Sequence, residues 1–196
     1  MPWLEGRLMK VEPRACYGLA SDVNLGSART GTLGHVHRFA DRSDWKTTLR
    51  LGSYTRDQRA SAIRFAPAVL QPGGVAVTQA NFGPDTALRR SGGSGVSAKI
   101  QDLDTVTLQN DCDTRFTAFG LRHAVQAGVD LAQDKFVGCA VADPASGALL
   151  KPNLTVAQSD GGGWVDEGLR VVQMNRDFNA EALGACEPDL LQLTPQ

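Results

Sequence analysis

Arginine is the residue type whose spacing in this chain says most about chemistry. Arg38, Arg42, Arg50, Arg56, Arg59 and Arg64 fall within 27 residues, and Arg89 and Arg90 stand together ahead of the glycine-rich run 91–95. A guanidinium offers five donors in a rigid fork that fits carboxylates and phosphates, and a glycine-rich loop lets a phosphate backbone approach closely. Arg50, Arg56, Arg59, Arg64, Arg89 and Arg90 are therefore the candidate contacts to a partner or to nucleic acid, with Tyr54, Phe65 and Phe82 as stacking surfaces. The plainer alternative is that these cations pair with carboxylates of the same fold or of a neighbouring subunit.

The three histidines offer a second chemistry. His35 and His37 stand two apart, so on a strand both imidazoles project from one face, and His123 would complete a three-ligand zinc site. Nothing in the spacing brings His123 to that pair, so the chain is read as holding no metal and no cofactor. Gln101-Asp-Leu-Asp-Thr-Val superficially resembles the Asp-x-Asp nucleophile motif of haloacid-dehalogenase-like phosphotransferases. That motif needs a strongly apolar strand ahead of it, whereas Lys99 and Gln101 interrupt this one, and Asp111 and Asp113 extend a solvated acidic edge. No nucleophile elbow, phosphate loop or dinucleotide fingerprint is present. Cys16, Cys112, Cys139 and Cys186 are scattered without a C-x-x-C pair, which reads as free thiols.

The charge is unevenly laid out. Residues 1–100 carry 14 Lys and Arg against 7 Asp and Glu, and residues 101–196 carry 6 against 14, so halves of +7 and −8 hide within a net charge of −1. Opposite poles favour head-to-tail contacts between copies. The expected function is a non-enzymatic structural subunit of a larger oligomer, of the virion, tail or tube kind, joined through complementary charged faces. A nucleic-acid-binding subunit of a ribonucleoprotein complex and a small metal-dependent enzyme are the alternatives. No apolar run reaches membrane-spanning length and the first residues lack a signal-peptide pattern, so the expectation is a cytoplasmic or particle-assembled protein without a membrane partner.

The elements that must position these residues are mostly strands. From Trp45 to Leu51 the odd positions are mostly apolar, while Lys46, Thr48 and Arg50 form the other face. Residues 74–82, 96–108, 154–157 and 169–174 have strand composition, with a break expected near Asp102. The apolar run 136–142, followed by the turn 143–147 and renewed apolar residues, predicts a hairpin with Gly147 at positive φ. Helical spacing predicts short helices from Asp57 to before Pro67, over 114–127 with Gly128 as C-cap, and from Asn179 to before Pro188. The fold class is thus mainly β, sandwich or barrel-like, with two or three short helices, and α+β as the alternative. One domain over 1–196 is expected, with long loops near 21–34 and 83–95.

Overall fold

The computed structural model describes residues 3–40, 43–91, 98–159 and 162–192. Strand accounts for 62% of the chain and helix for 5%, the latter confined to three short 3-10 turns, so the fold is mainly β and its sheets are not closed. The strands are β1 (Trp3–Leu4), β2 (Arg7–Leu8), β3 (Val23–Ala40), β4 (Ser43–Arg59), β5 (Ala62–Phe65), β6 (Ala87–Ser91), β7 (Ala98–Ala118), β8 (Leu121–Ala142), β9 (Leu154–Thr155), β10 (Val171–Cys186) and β11 (Asp189–Gln192). Five of them make a sheet in the order β10-β8-β7-β4-β3, with β11 also paired to β8. A small sheet has the order β5-β6-β9, and β1 pairs with β2.

All three expected helices are strand. Residues 57–66 fall in the end of β4 and in β5, residues 114–127 in β7 and β8, and residues 179–187 mostly in β10. The middle case shows why. Phe116, Phe119, Leu121 and Val125 match a helical stripe, but Phe119 at φ 52° and Gly120 at φ 77° form a two-residue turn with both central residues left-handed. That turn matches the twist of a hairpin, so the chain doubles back there. The 3-10 turns lie instead at Ala68–Leu70, Pro72–Gly74 and Glu167–Leu169.

Other expectations shift in the same direction. The segment 21–34, read as a loop, is mostly β3, because small residues with no apolar alternation still pair their backbone. Within 83–95, residues 87–91 form β6, and 92–95 lie outside the described residues, as does Arg42. β7 runs through Asp102 unbroken, and residues 74–82 form turns rather than a strand. Gly147 has φ 136° and donates its N–H to Pro144, yet no strand follows it, so the turn exists without the hairpin.

The chain divides into two compact units. Unit 1 comprises Met1–Leu25, Arg56–Ile100 and Gly138–Asn175; unit 2 comprises Gly26–Thr55, Gln101–Val137 and Arg176–Gln196. Every buried apolar residue found, namely Leu19, Ala66, Leu88, Val141 and Leu154, belongs to unit 1. Unit 2 shows no buried apolar side chain among the described residues.

Candidate functional site

Unit 2 is a sheet whose register can be read from its side-chain contacts. Ser27 meets Thr55 and Arg38 meets Asp44, so stepping forward on β3 steps back equally on β4. The same antiparallel step joins β4 to β7, where Ser43 meets Thr114 and Thr47 meets Asn110. Phe116 stacks on His123, and a side chain at Gly128 would touch Asp111, which sets β7 against β8. Phe136 stacks on Phe178 and Gly128 approaches Cys186, which sets β8 against β10 in the register that pairs Asp189 with Val125 on β11. These registers place Leu33, Leu49, Leu108, Leu131 and Leu183 in one row across five strands. The row is left open: Leu33 is 71% exposed and Leu183 75%.

The two faces of this sheet differ in kind. The leucine row shares its face with Trp45, Leu51, Val106, Phe116, Val125 and Val129, since side chains two apart on a strand point the same way. One residue along, the opposite face holds Gly34, Thr48, Gln109, Asp130 and Gly184. Polar groups on the apolar face bond one another: Trp45 Nε1 donates to Thr47 Oγ1 (3.2 Å), Thr47 Oγ1 to Asn110 Oδ1 (2.8 Å), and the Ser43 and Thr114 hydroxyls share a bond of 2.7 Å. His123 Nδ1 lies 3.0 Å from Asp189 Oδ2. On β7 the apolar face runs from Val106 to Phe116, eleven residues counted inclusively.

Unit 1 is organised around charge. The Lys151 ammonium, on a side chain 2% exposed, pairs with Asp22 Oδ1 and Glu167 Oε1, each at 3.1 Å, and donates to Ser61. Arg170, its side chain fully buried, bonds Glu167, Asp143 and the Leu149 carbonyl. Burial pushes the Asp22 carboxyl up, but the Leu19 N–H, the Ser61 hydroxyl and N–H and the Lys151 ammonium outweigh it and hold it below its ordinary value. Unit 1 also holds a cavity of about 650 Å³ lined by residues that include Trp3, Tyr17, Phe65, Phe82, Leu88 and Val156. The Tyr17 hydroxyl donates to the Val156 carbonyl (2.9 Å), fixing one wall, and burial raises its phenol pKa. The volume lies within the few-hundred to thousand Å³ range of small-molecule sites.

The arginines read from the sequence part company here. Arg50 is exposed on β4 in unit 2. Arg56 is exposed as well, at the start of a segment of unit 1. Arg59 forks onto Asp57 and donates to the Glu167 carbonyl, and Arg90 is buried against the carbonyls of Tyr17, Gly18 and Pro152. Arg64 and Arg89 face each other across β5 and β6, both exposed. His35 and His37 stack on one face of β3, while β4 and β7 stand between β3 and the His123 strand β8. At about 4.8 Å per strand step, the third histidine is not brought to the pair. The leucine row and the Lys151–Glu167–Arg170 network carried no sequence signal of their own; the alternation around Leu49 and Leu51 was the one trace of the former.

No protein-family model matches the chain, and no curated protein sequence does. The fold resembles that of solved receptors. The ferric-catecholate import receptor Fiu from Escherichia coli K12, in its closed form, superposes with a TM-score of 0.69 at 17% identity, covering 94% of this chain and 24% of that one. The siderophore receptor PiuA from Acinetobacter baumannii gives 0.63 at 15% identity, covering 91% of this chain and 25% of that one. This chain thus spans about a quarter of the length of the structures it resembles.

These neighbours correct the functional expectation. A virion, tail or tube subunit joined by charged faces finds no counterpart among them, and the neighbours are receptors rather than enzymes or nucleic-acid-binding components. The physical reason lies in the charge split. Each compact unit draws on both halves of the sequence, unit 1 joining Met1–Leu25 and Arg56–Ile100 to Gly138–Asn175 and unit 2 joining Gly26–Thr55 to Gln101–Val137 and Arg176–Gln196, so the uneven halves do not form two separate poles.

Proposed function

We propose that this chain is a stretch of wall, with its attached loop structure, of a transmembrane β-barrel import receptor whose cargo, going by the names of the two neighbours, is a ferric catecholate or another siderophore. The observation that carries the reading is the open leucine row. The part of the sheet in unit 2, with no buried apolar side chain among the described residues, carries five leucines in register, Leu33, Leu131 and Leu183 exposed and Leu49 and Leu108 half-buried, and such a face gains its burial from lipid.

Three further features support it. The apolar stretch from Val106 to Phe116 has the length, about 9–11 residues, of a tilted transmembrane strand. Phe119, fully exposed, sits in the short turn between β7 and β8, with Phe116 close by in sequence, in the manner of an interfacial aromatic girdle. Connections alternate in length: β7 turns into β8 within two residues, whereas residues 60–97 join β4 to β7 and residues 143–170 join β8 to β10. Short turns alternating with long loops are the pattern of outer-membrane-type barrels. No helix is long and apolar enough to cross a membrane, a criterion that does not bear on strands. Among the described residues β3 and β10 are edge strands of the five-strand order, and in a closed barrel their outer backbone groups belong to neighbouring strands.

The test is depth-resolved quenching. A chain with Trp3→Phe and Trp164→Phe keeps Trp45 as its single indole. Folded into phosphatidylcholine vesicles, Trp45 should be quenched by lipids brominated near the headgroup more than by lipids brominated at the acyl end. An unquenched Trp45 in a chain that stays in the aqueous phase would overturn the reading.

A further inference from the structure

We infer that Arg64 and Arg89 form a binding site for a phosphate monoester on the exposed face of the small sheet of unit 1. In the antiparallel pair β5–β6, Ala62 lies opposite Ser91, Ile63 opposite Arg90, Arg64 opposite Arg89 and Phe65 opposite Leu88. Alternation then sorts the side chains. Leu88 and Arg90 are buried on one face, Arg90 against three backbone carbonyls, and Arg64 and Arg89 stand side by side, exposed, on the other.

Directly opposed like charges on neighbouring strands are destabilising, so the pair calls for an anion. Other cations of this unit are held: Lys151 and Arg170 reach Asp22, Glu167 and Asp143, Arg59 reaches Asp57, and Arg90 donates to backbone carbonyls. Arg64 and Arg89 make no ion pair among the described residues. Two cations whose Cα atoms stand about 4.5–5.5 Å apart can converge on a single group, each fork giving two N–H donors. A phosphate monoester carries about −1.5 to −2 at neutral pH and so balances both guanidiniums, whereas a carboxylate balances one. Exposed Asn153 is the residue before Leu154, which pairs with Leu88 through β9, so a carboxamide follows in the same direction. This site rests on unit 1 alone and is independent of the barrel reading.

The chemistry is shared by a soluble phosphate ester and by a lipid-borne phosphate monoester, and the experiment separates them. Titration calorimetry at low salt is run with glycerol 3-phosphate, with acetate, and with vesicles of phosphatidylcholine with and without phosphatidic acid. The expected result is saturable binding of one phosphate monoester per chain, weakened about ten-fold or more in Arg64→Gln and in Arg89→Gln, and unchanged in Arg29→Gln. Binding of glycerol 3-phosphate marks a soluble ligand; binding confined to phosphatidic acid vesicles marks a lipid one. As a second readout that does not depend on affinity, Arg89→Gln should raise the thermal midpoint in phosphate-free buffer by relieving the repulsion, and added phosphate should raise the midpoint of the parent chain but not of the variant. Three results would overturn the inference: no saturable binding to either probe, binding undiminished in Arg64→Gln and Arg89→Gln, or acetate bound as tightly as the phosphate ester.

Discussion

Units 1 and 2 of this chain solve the problem of burial in opposite ways. Unit 1 buries charge: Lys151, Glu167, Arg170 and Arg90 are all nearly or wholly inaccessible, held by one another and by backbone carbonyls, with only a few apolar side chains alongside. Unit 2 buries almost nothing, keeping the leucine row with valines and aromatics open on one face and mostly small or polar residues, beside Val36, Phe136 and Phe178, on the other. The contrast teaches that a sparse aromatic content and a thin core need not signal marginal packing. In one region hydrogen-bonded ion pairs fill the interior, and in the other, on the barrel reading we propose, lipid rather than water would cover the apolar face.

The comparison breaks first at Lys151. Lys151→Ala takes the cation from part-buried Asp22 and one of two from buried Glu167, which keeps Arg170, and the loss should be about 3 kcal/mol. Urea unfolding followed by Trp164 fluorescence measures it, and a loss under 1 kcal/mol would mean that the network is ornamental.

The leucine row supplies the next largest effect. Leu108→Arg should cost about 2–4 kcal/mol of folding free energy in phosphatidylcholine vesicles, the value for a cation at the bilayer midplane, and Thr48→Arg on the other face about 0.5 kcal/mol or less. Equal costs on the two faces would erase the distinction between them.

Smaller still is the turn. Gly120 sits at φ 77° with open space around its Cα, so Gly120→Val brings backbone strain and no clash, about 1–2 kcal/mol. The measurement is the urea midpoint in vesicles, and no change would place the β7–β8 reversal elsewhere.

The mildest probe is acid. Asp22 titrates below its ordinary value of 3.8 in the folded chain, so the stability it contributes is complete above that value and falls as the pH drops through the lower folded value. The thermal midpoint of the parent chain should therefore decline below about pH 4 more steeply than that of Asp22→Asn. Parallel declines would show that Asp22 is not a source of the acid sensitivity.

Much of the strand content was legible and much of its extent was not. The face of Trp45, Leu49 and Leu51 showed as period two, because each second residue is apolar there. β3 was silent: its glycines, threonines and alanines pair through backbone groups that have no side-chain signature. Residues 179–187, with Ala180, Glu181, Ala182 and Leu183, have helical composition, and pairing with β8 overrides it. Of the arginines, the sequence singled out Arg59, Arg64, Arg89 and Arg90 alike. The structure divides them into two that are satisfied internally and two left facing each other.

Local sequence alone determined the alternation of β4, the turn glycine at 147 and the lack of any known reaction motif, since each depends on residues a few positions apart. Only the tertiary structure decided which residues from distant strands stand side by side. Period two says that Leu49 and Leu51 share a face, but whether Leu108, Leu131, Leu183 and Leu33 join them is a matter of register, and a slip of one residue would turn each onto the other face. Register is set by pairings between residues tens of positions apart, such as Thr47 with Asn110 and Gly128 with Cys186, and no window along the chain contains both partners.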